Sequence, residues 1–113
     1  MNIFIKGIDS LSNKLDKVAA VSANAGILKA ALRIERTAKE LVPVDTGTLR
    51  NSITHVVDNN TAKVGTSIEY APDVEYGTSS QKAQPFLGPA LTLNRKDIEQ
   101  DIADDIRNQL GGI

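Results

Sequence analysis

The stretch NAGILKAALRIERTAKELVP, residues 24–43, decides the fold. Its apolar side chains recur every three or four residues, which is the spacing of one face of an α-helix. They are Ile27, Leu28, Ala31, Ile34, Ala38 and Leu41. Pro43 ends the pattern, because the residue before a proline avoids helical backbone. The stretch therefore predicts a long helix that begins at Asn24 and buries one side.

Strands are predicted on both sides of this helix. Residues 3–8 alternate loosely between two sets of side chains and predict a first strand. Residues 53–57 and 62–68 predict two more strands. Asparagines lie between them in the segment 58–60, and asparagine tolerates the left-handed backbone of a tight hairpin turn.

Shorter helical segments complete the pattern. Ser10 can cap a helix over residues 11–20. A turn followed by one helical turn is predicted within residues 44–52, and another single turn over residues 71–76. A last helix is predicted from Pro89 to about Leu110, with an apolar stripe along one side.

The order of these elements predicts an α+β fold. We expect a small antiparallel β-sheet packed on one face by the long helix of the N-terminal half and by the C-terminal helix. Such a sheet keeps open edges, and open edges invite pairing with a neighbouring chain. The length of 113 residues fits a single domain over residues 1–113. Residues 77–84 are polar and without periodicity, which predicts a flexible loop.

Composition restricts the classes of function. Thirteen basic residues face fourteen acidic ones, and this formal net charge of −1 argues against a protein whose main task is to neutralise phosphates. The absence of cysteine excludes disulfides and thiolate metal sites. We find no signal peptide and no stretch of bilayer length, so we expect folding and assembly in the cytoplasm without membrane contact.

No metal or cofactor site is predicted. His55 is the single histidine, so it has no second histidine or cysteine with which to share a metal. The acidic residues of the last helix lack calcium-loop spacing. Four aromatic residues, Phe4, Tyr70, Tyr76 and Phe86, are few for a cofactor pocket. The tyrosines flank residues 71–75 beside the predicted loop, where hydroxyl-tipped rings suit an interface.

The triplet Asp45-Thr46-Gly47 has an enzymatic interpretation and a structural one. It matches the active-site triplet of retroviral-type aspartic proteases, homodimers whose two aspartates share a proton. Those enzymes need an apolar strand before the triplet, whereas Pro43 and a predicted helix precede it here. The structural interpretation is favoured, in which the aspartate and threonine oxygens bond nearby backbone N–H groups and the glycine permits a tight turn.

Opposite charges lie on the long helix and on the last helix. The basic residues are Lys29, Arg33 and Arg36, and the acidic ones are Asp97, Asp101, Asp104 and Asp105. The basic side could touch nucleic acid, but pairing with an acidic helix, of the same chain or of a neighbour, is favoured. Our hypothesis is that these charges align a head-to-tail contact between subunits.

Three segments together resemble one protein family. The first, VPVDTGTLRNSI over residues 42–53, is called the signature segment below. The second, EYAPDVEYGT over residues 69–78, is called the tyrosine segment, and the third, QPFLGPAL over residues 84–91, the QPFL segment. In this order and at these separations they resemble the neck or tail-completion family of bacteriophages with long non-contractile tails, also described as minor tail components. Gly88 departs from the basic residue that many members carry there.

The resemblance implies a non-catalytic structural protein of the virion or of a prophage, with no cofactor. It implies action at the head–tail junction, in tail completion or head–tail joining. The implied partners are other neck and tail proteins and further copies of the chain, in a homo-oligomer that could be a ring, with DNA contacted only incidentally as it passes through. The residues carried over as structural or interface candidates are Asp45, Thr46, Gly47, Leu49, Arg50, Tyr70, Glu75, Tyr76, Gly77, Pro85 and Phe86. Leu49 and Ile53 are expected in the core.

Overall fold

The computed structural model of the chain describes residues 1–6, 23–44 and 47–110. The helix predicted over residues 11–20, together with its Ser10 cap, lies outside these ranges. In chain order the elements are β1 (Asn2–Lys6), α1 (Asn24–Leu41), α2 (Thr48–Ser52), β2 (Thr54–Asp58), β3 (Thr61–Gly65), α3 (Ala71–Tyr76), α4 (Leu87–Leu93) and α5 (Arg95–Leu110). The α+β prediction is confirmed.

The three strands form one antiparallel sheet in the order β1-β3-β2. Asn59 and Asn60 form the turn of the β2–β3 hairpin, and both have positive φ angles, 50° and 59°. This backbone is the one that two-residue hairpins require and that asparagine tolerates. The turn is also tied to the start of α1, because the Asn60 side chain accepts the N–H of Ala23 and the Asn24 side chain accepts the N–H of Asn60.

The two faces of the sheet differ. Ala62 and Val64 of β3 point into the core and are fully buried. Phe4, Lys63 and Val56 form one row across the three strands on the opposite face, which we call the outer face. Phe4 is 62% exposed and Val56 is 55% exposed. The outer face is therefore a partly apolar surface without a layer on it among the residues described.

Helix α1 is the central element of the core. It packs on β2 and β3 on one side and on α4 and α5 on the other. Its fully buried side includes Ile27, Ala30, Ala31, Ile34 and Ala38. The sequence predicted that the C-terminal helix would share the sheet face with α1. Instead α5 packs mainly on α1, which therefore lies between the sheet and the last helix.

Helices α1 and α5 approach each other closely at Gly26. A Cβ atom built there would lie 2.7 Å from the backbone oxygen of Asp101 and 2.9 Å from the Cβ of Asp105. The Gly26 N–H also donates a hydrogen bond of 2.9 Å to the Asp105 carboxylate. The N-cap residue Ala23 makes no side-chain cap bond, and Asp105 of α5 supplies an acceptor for the Gly26 N–H of the first turn.

The prediction of one last helix from Pro89 to Leu110 was wrong. The chain forms α4 and α5, which are separated by a break at Asn94. The Asn94 side-chain amide donates to the Ala90 carbonyl oxygen, at 2.7 Å, and to the Thr37 hydroxyl of α1, at 2.8 Å. These two bonds hold Asn94 at the end of α4. The third strand is also shorter than predicted, since it ends at Gly65 rather than at residue 68.

Candidate functional site

The signature, tyrosine and QPFL segments all contribute residues to one surface groove. The groove holds about 450 Å³ and is lined by Pro43, Gly47, Leu49, Tyr70, Asp73, Val74, Gln81 and Gln84. We call it the motif groove. Its floor is apolar, because Leu49 and Val74 are buried, whereas Tyr70 on its rim is 46% exposed. An apolar floor with a polar rim is the usual construction of a recognition surface.

Gly47 and Leu49 of the signature segment line the groove at the start of α2. Gly47, at the start of α2, has a φ of 80°, in the left-handed region where a side chain is strained. Leu49 and Ile53 lie in the core, as the resemblance implied. Ser52 fixes the far end of α2, because its hydroxyl donates to the Leu49 carbonyl oxygen and lies 2.6 Å from the Thr66 hydroxyl. Arg50 is exposed on α2.

Asp45 and Thr46 lie outside the described residues, so their roles stay predictions. What the structure shows is the surrounding backbone. The chain reaches the triplet from α1 through Val42 and continues directly into α2. The protease interpretation requires a strand before the triplet, and the element before it here is a helix.

Glu75 links the tyrosine segment to the QPFL segment. One of its carboxylate oxygens accepts the N–H groups of Phe86 and Leu87, at 3.0 and 2.8 Å, and the other accepts the N–H of Gly88, at 3.1 Å. Glu75 is buried, and Phe86 beside it is fully buried. A carboxylate acceptor strengthens such bonds and suits the free N–H groups at the start of α4. Glu75 thus fixes where α4 begins.

Residues 77–84 make a tight turn beside the groove. Thr78 and Gln81 form an antiparallel bridge, and the Gln84 N–H donates to the Val74 carbonyl oxygen at 2.8 Å. Gly77 begins the turn with a φ of 76°, and a Cβ there would lie 2.7 Å from the Ala83 nitrogen. Flexibility of this loop stays a prediction. The two tyrosines are both exposed, Tyr76 to 73%, while Pro85 is exposed next to buried Phe86.

The predicted charge pairs form within one chain. The Arg33 guanidinium donates two hydrogen bonds to the Asp101 carboxylate, the longer one at 3.2 Å. Lys29 lies 3.5 Å from Asp101, and Arg33 lies 3.8 Å from Asp97. The hydrogen bond to Asp101 raises the pKa of Arg33, burial opposes this, and the charges of Asp101 and Asp97 add to it. These contacts attach α5 to α1.

These contacts account for most of the charged residues within one chain, and the hypothesis that the charges align neighbouring subunits stays a proposal. Arg33 and Asp101 bond each other inside the chain because α5 folds back along α1. Asp104 pairs with Arg107 on its own helix, and Asp105 accepts the Gly26 N–H. Arg36 is exposed on α1. It is the one basic residue of the set with no salt bridge inside the described ranges, so a contact from Arg36 to another chain stays a proposal.

An Asp101→Ala variant tests the internal role of these charges. We expect a lower melting temperature, because the change leaves the partly buried Arg33 without its two-bond partner. Asp104→Ala is the matched control, since Asp104 is half exposed and its ion pair lies within α5. Thermal unfolding of both variants would contradict this assignment if Asp101→Ala lost no more stability than Asp104→Ala.

His55 is half-buried, and its Nδ1 lies 3.2 Å from a Glu35 carboxylate oxygen. Among residues 1–6, 23–44 and 47–110, no group of three or more histidine, aspartate or glutamate residues is placed to hold a metal ion. In the same ranges no helix has the length and apolar character needed to span a bilayer.

Several residues of the groove rim were not singled out from the sequence. Pro43 lies inside the signature segment and Asp73 inside the tyrosine segment. Their membership of these segments could have identified them as candidate site residues. Gln81 lies in a polar stretch without periodicity, and only the turn at Thr78–Gln81 brings it to the rim. Gln84 opens the QPFL segment.

A family model described as "Bacteriophage HK97-gp10, putative tail-component" matches residues 5–77 of the chain. The matched range contains the long helix, strands β2 and β3, the end of β1 and the signature segment, and it ends within the tyrosine segment. No curated protein and no solved structure gives a match.

Proposed function

The chain belongs to the HK97-gp10-like family of bacteriophage tail components, and from this premise we propose that it acts at the head–tail junction, in tail completion or head–tail joining. We propose that it does so as a non-catalytic structural subunit, alongside other neck and tail proteins and in a homo-oligomer. As a tail component it is part of the virion, and we propose that it is assembled in the host cytoplasm.

The observation that carries this proposal is the position of the motif groove. Residues of all three segments, together with Gln81, supply its lining, and Tyr70 and Asp73 on its rim are exposed. The buried carboxylates of Glu75 and Asp101 are engaged in holding the fold, through bonds to α4 and to α1. The groove is lined by the three segments that carry the family resemblance, and the buried polar groups hold the fold. This combination supports a role as an assembly subunit.

The proposal is tested by deleting the gene from the phage or prophage that encodes the chain. We expect DNA-filled heads and separate tails, seen by negative-stain electron microscopy, and almost no joined particles. Supplying the wild-type protein in trans should restore joining. Joined, infectious particles without the protein would contradict the junction role, and a complete lack of tails would instead indicate a role in building the tail tube.

The same complementation tests the non-catalytic part of the proposal. An Asp45→Asn protein should restore joining as the wild type does, because asparagine keeps a side-chain oxygen for the turn and cannot act as a protease carboxylate. A folded Asp45→Asn protein that fails to restore joining, and that leaves a virion protein uncleaved, would support the protease alternative.

We further propose that the motif groove contacts a partner protein in the neck or tail. Among the described residues its lining carries one charged group, the exposed Asp73 carboxylate, beside Tyr70 and the amides of Gln81 and Gln84. Tyrosine and amide groups on a rim can bond to a polypeptide backbone, and the buried Leu49 and Val74 offer an apolar floor.

An Asp73→Lys variant tests this contact. Because Asp73 is exposed, the melting temperature should stay within about 2 °C of wild type. The yield of joined particles in complementation should fall at least tenfold, roughly, since a reversed charge at a contact is strongly unfavourable. Glu99→Lys on exposed α5 makes the same charge change elsewhere and should restore joining. Equal yields from the two variants would remove the groove from the interface.

A further inference from the structure

The sheet leaves hydrogen-bonding groups free along β2. In a two-residue hairpin the residues that flank the turn, here Asp58 and Thr61, exchange both backbone bonds. The pattern alternates, so Val56 and Thr54 also bond to β3. The backbone N–H and C=O groups of His55 and Val57 therefore point away from β3. None of these four groups has a backbone partner within the ranges the structure describes.

The other edge strand, β1, has the opposite alternation. Met1 and Thr66 exchange two bonds, each of 3.1 Å, so odd-numbered residues of β1 bond to β3. Ile3 is accordingly a bonded partner of Val64. The backbone groups of Asn2, Phe4 and Lys6 point to the outside of the sheet. The two edges thus present complementary sets of donors and acceptors.

Both edge strands run in the same direction, because each is antiparallel to β3. A cyclic head-to-tail arrangement of identical subunits would place β2 of one copy parallel to β1 of the next. In a parallel ladder, a residue whose groups point toward the partner strand lies opposite a residue whose own groups point away from it. His55 must then lie opposite an odd-numbered residue of β1.

We propose that β2 of one subunit pairs in parallel with β1 of a second copy, with His55 opposite Ile3. This interface rests on the proposed function, since it is the contact that would build the homo-oligomer. In this register Thr54 to Asp58 lie opposite Asn2 to Lys6, so the two five-residue strands pair over their whole length. Four backbone bonds form, and they use all four outward groups of β2.

The side-chain positions match in this register. Val56 comes opposite Phe4, which joins the two large exposed apolar side chains of the outer face. Thr54 comes opposite Asn2, two polar residues. Apolar pairs directly across strands stabilise a sheet, and like-charge pairs, which this register does not create, destabilise it.

The pairing also places the core-side faces of successive subunits on the same side of the joined sheet. His55 and Ile3 both belong to the core side, so helices of successive subunits stay on one side of the joined sheet. A repeated head-to-tail contact of this kind closes into a ring when its rotation allows. The competing arrangement pairs β2 with β2 of a second copy around a twofold axis. It would leave β1 open and place Val56 opposite Val56, without the Phe4 contact.

Cysteine cross-linking distinguishes these arrangements, and the natural chain contains no cysteine. The double variant Phe4→Cys with Val56→Cys is supplied in trans to the gene deletion, and joined particles are purified and oxidised. Within one chain these positions lie on either side of β3, about 9–10 Å apart, which is too far for a disulfide. Between chains in the proposed register they are direct neighbours.

The expected result is a ladder of cross-linked chains on a non-reducing gel, at multiples of the single-chain mass, that collapses on reduction. The mismatched pair Asn2→Cys with Asp58→Cys is four residues out of register and should stay monomeric. If the first pair fails to fold, Asn2→Cys with Thr54→Cys tests the same register.

Three outcomes overturn the pairing. One is particles that contain the double variant but show no cross-linked chains. Another is efficient cross-linked dimers from Val56→Cys alone, which would establish the twofold arrangement. The third is absence of the chain from joined particles when the wild-type protein restores joining. That result would reject the proposed function as well, and is separable from the first two because the protein itself is missing.

Discussion

Replacing Gly26 with alanine should lower the free energy of unfolding by about 2–3 kcal/mol, although alanine is the better helix former. Helix propensity alone would favour alanine by at most about 1 kcal/mol. The added Cβ, however, would lie 2.7 Å from the Asp101 backbone oxygen and 3.0 Å from the Ile102 Cα. Both neighbours belong to the backbone of α5, so no side-chain rotation relieves the contact. Steric repulsion is therefore expected to exceed the gain in propensity.

The cost extends beyond the contact itself. Moving α5 away from α1 would also lengthen the Gly26–Asp105 hydrogen bond and the Arg33–Asp101 bonds. Urea unfolding followed by circular dichroism measures the change, and Ala25→Gly is the matched control because Ala25 is exposed on the same turn. That control should lose no more than about 1 kcal/mol, the propensity difference alone. A Gly26→Ala protein that is more stable than wild type would show that α1 and α5 do not approach closely here.

The helical and strand patterns predicted the elements of the fold because their causes are local. The apolar spacing of residues 24–41 gave α1, and Asn59 and Asn60 gave the hairpin turn, since asparagine itself tolerates positive φ. The break at Asn94 was missed for the opposite reason. Nothing adjacent in the sequence ends the helix there, and one of the two bonds that hold Asn94 goes to Thr37, 57 residues away.

The partners of the charged residues could not be predicted from the sequence either. The sequence placed basic residues on α1 and acidic residues on α5, and both positions are correct. It could not show whether they meet inside one chain, because that depends on α5 folding back along α1. The distance in sequence between Arg33 and Asp101 is 68 residues. Periodicity gives the side of a helix on which a charge lies, and only tertiary packing gives its partner.

The sequence identified the segments that form the site, but it did not show how they are arranged in space. The signature, tyrosine and QPFL segments were recognised separately. Their meeting at the motif groove depends on bonds between segments, such as the Gln84 N–H to the Val74 carbonyl oxygen. Glu75 was carried over only as a structural or interface candidate. Its actual contacts are with α4, and a glutamate in a short helical segment carries no local sign of that partner.

Replacing Glu75 with alanine should lower the free energy of unfolding by about 3 kcal/mol. The change removes the acceptor for three backbone N–H groups, those of Phe86, Leu87 and Gly88. The first two bonds are buried, so water does not simply replace the carboxylate. Hydrogen bonds to a charged group contribute about 1.5–3 kcal/mol each, and their loss is not fully additive. The cost of burying the charge offsets part of the sum.

Glu75→Gln separates the charge from the shape of the side chain. Glutamine keeps one acceptor oxygen but directs an NH₂ group toward N–H donors, so we expect an intermediate loss of about 1–2 kcal/mol. Glu69→Ala, an exposed glutamate of the same segment, is the control and should change stability by less than about 0.5 kcal/mol. Hydrogen exchange adds a local measurement, because the Phe86 and Leu87 amides should exchange faster in both Glu75 variants. If Glu75→Gln matched wild type in stability and in exchange at these amides, the start of α4 would be fixed by the packing of Phe86 and not by the carboxylate.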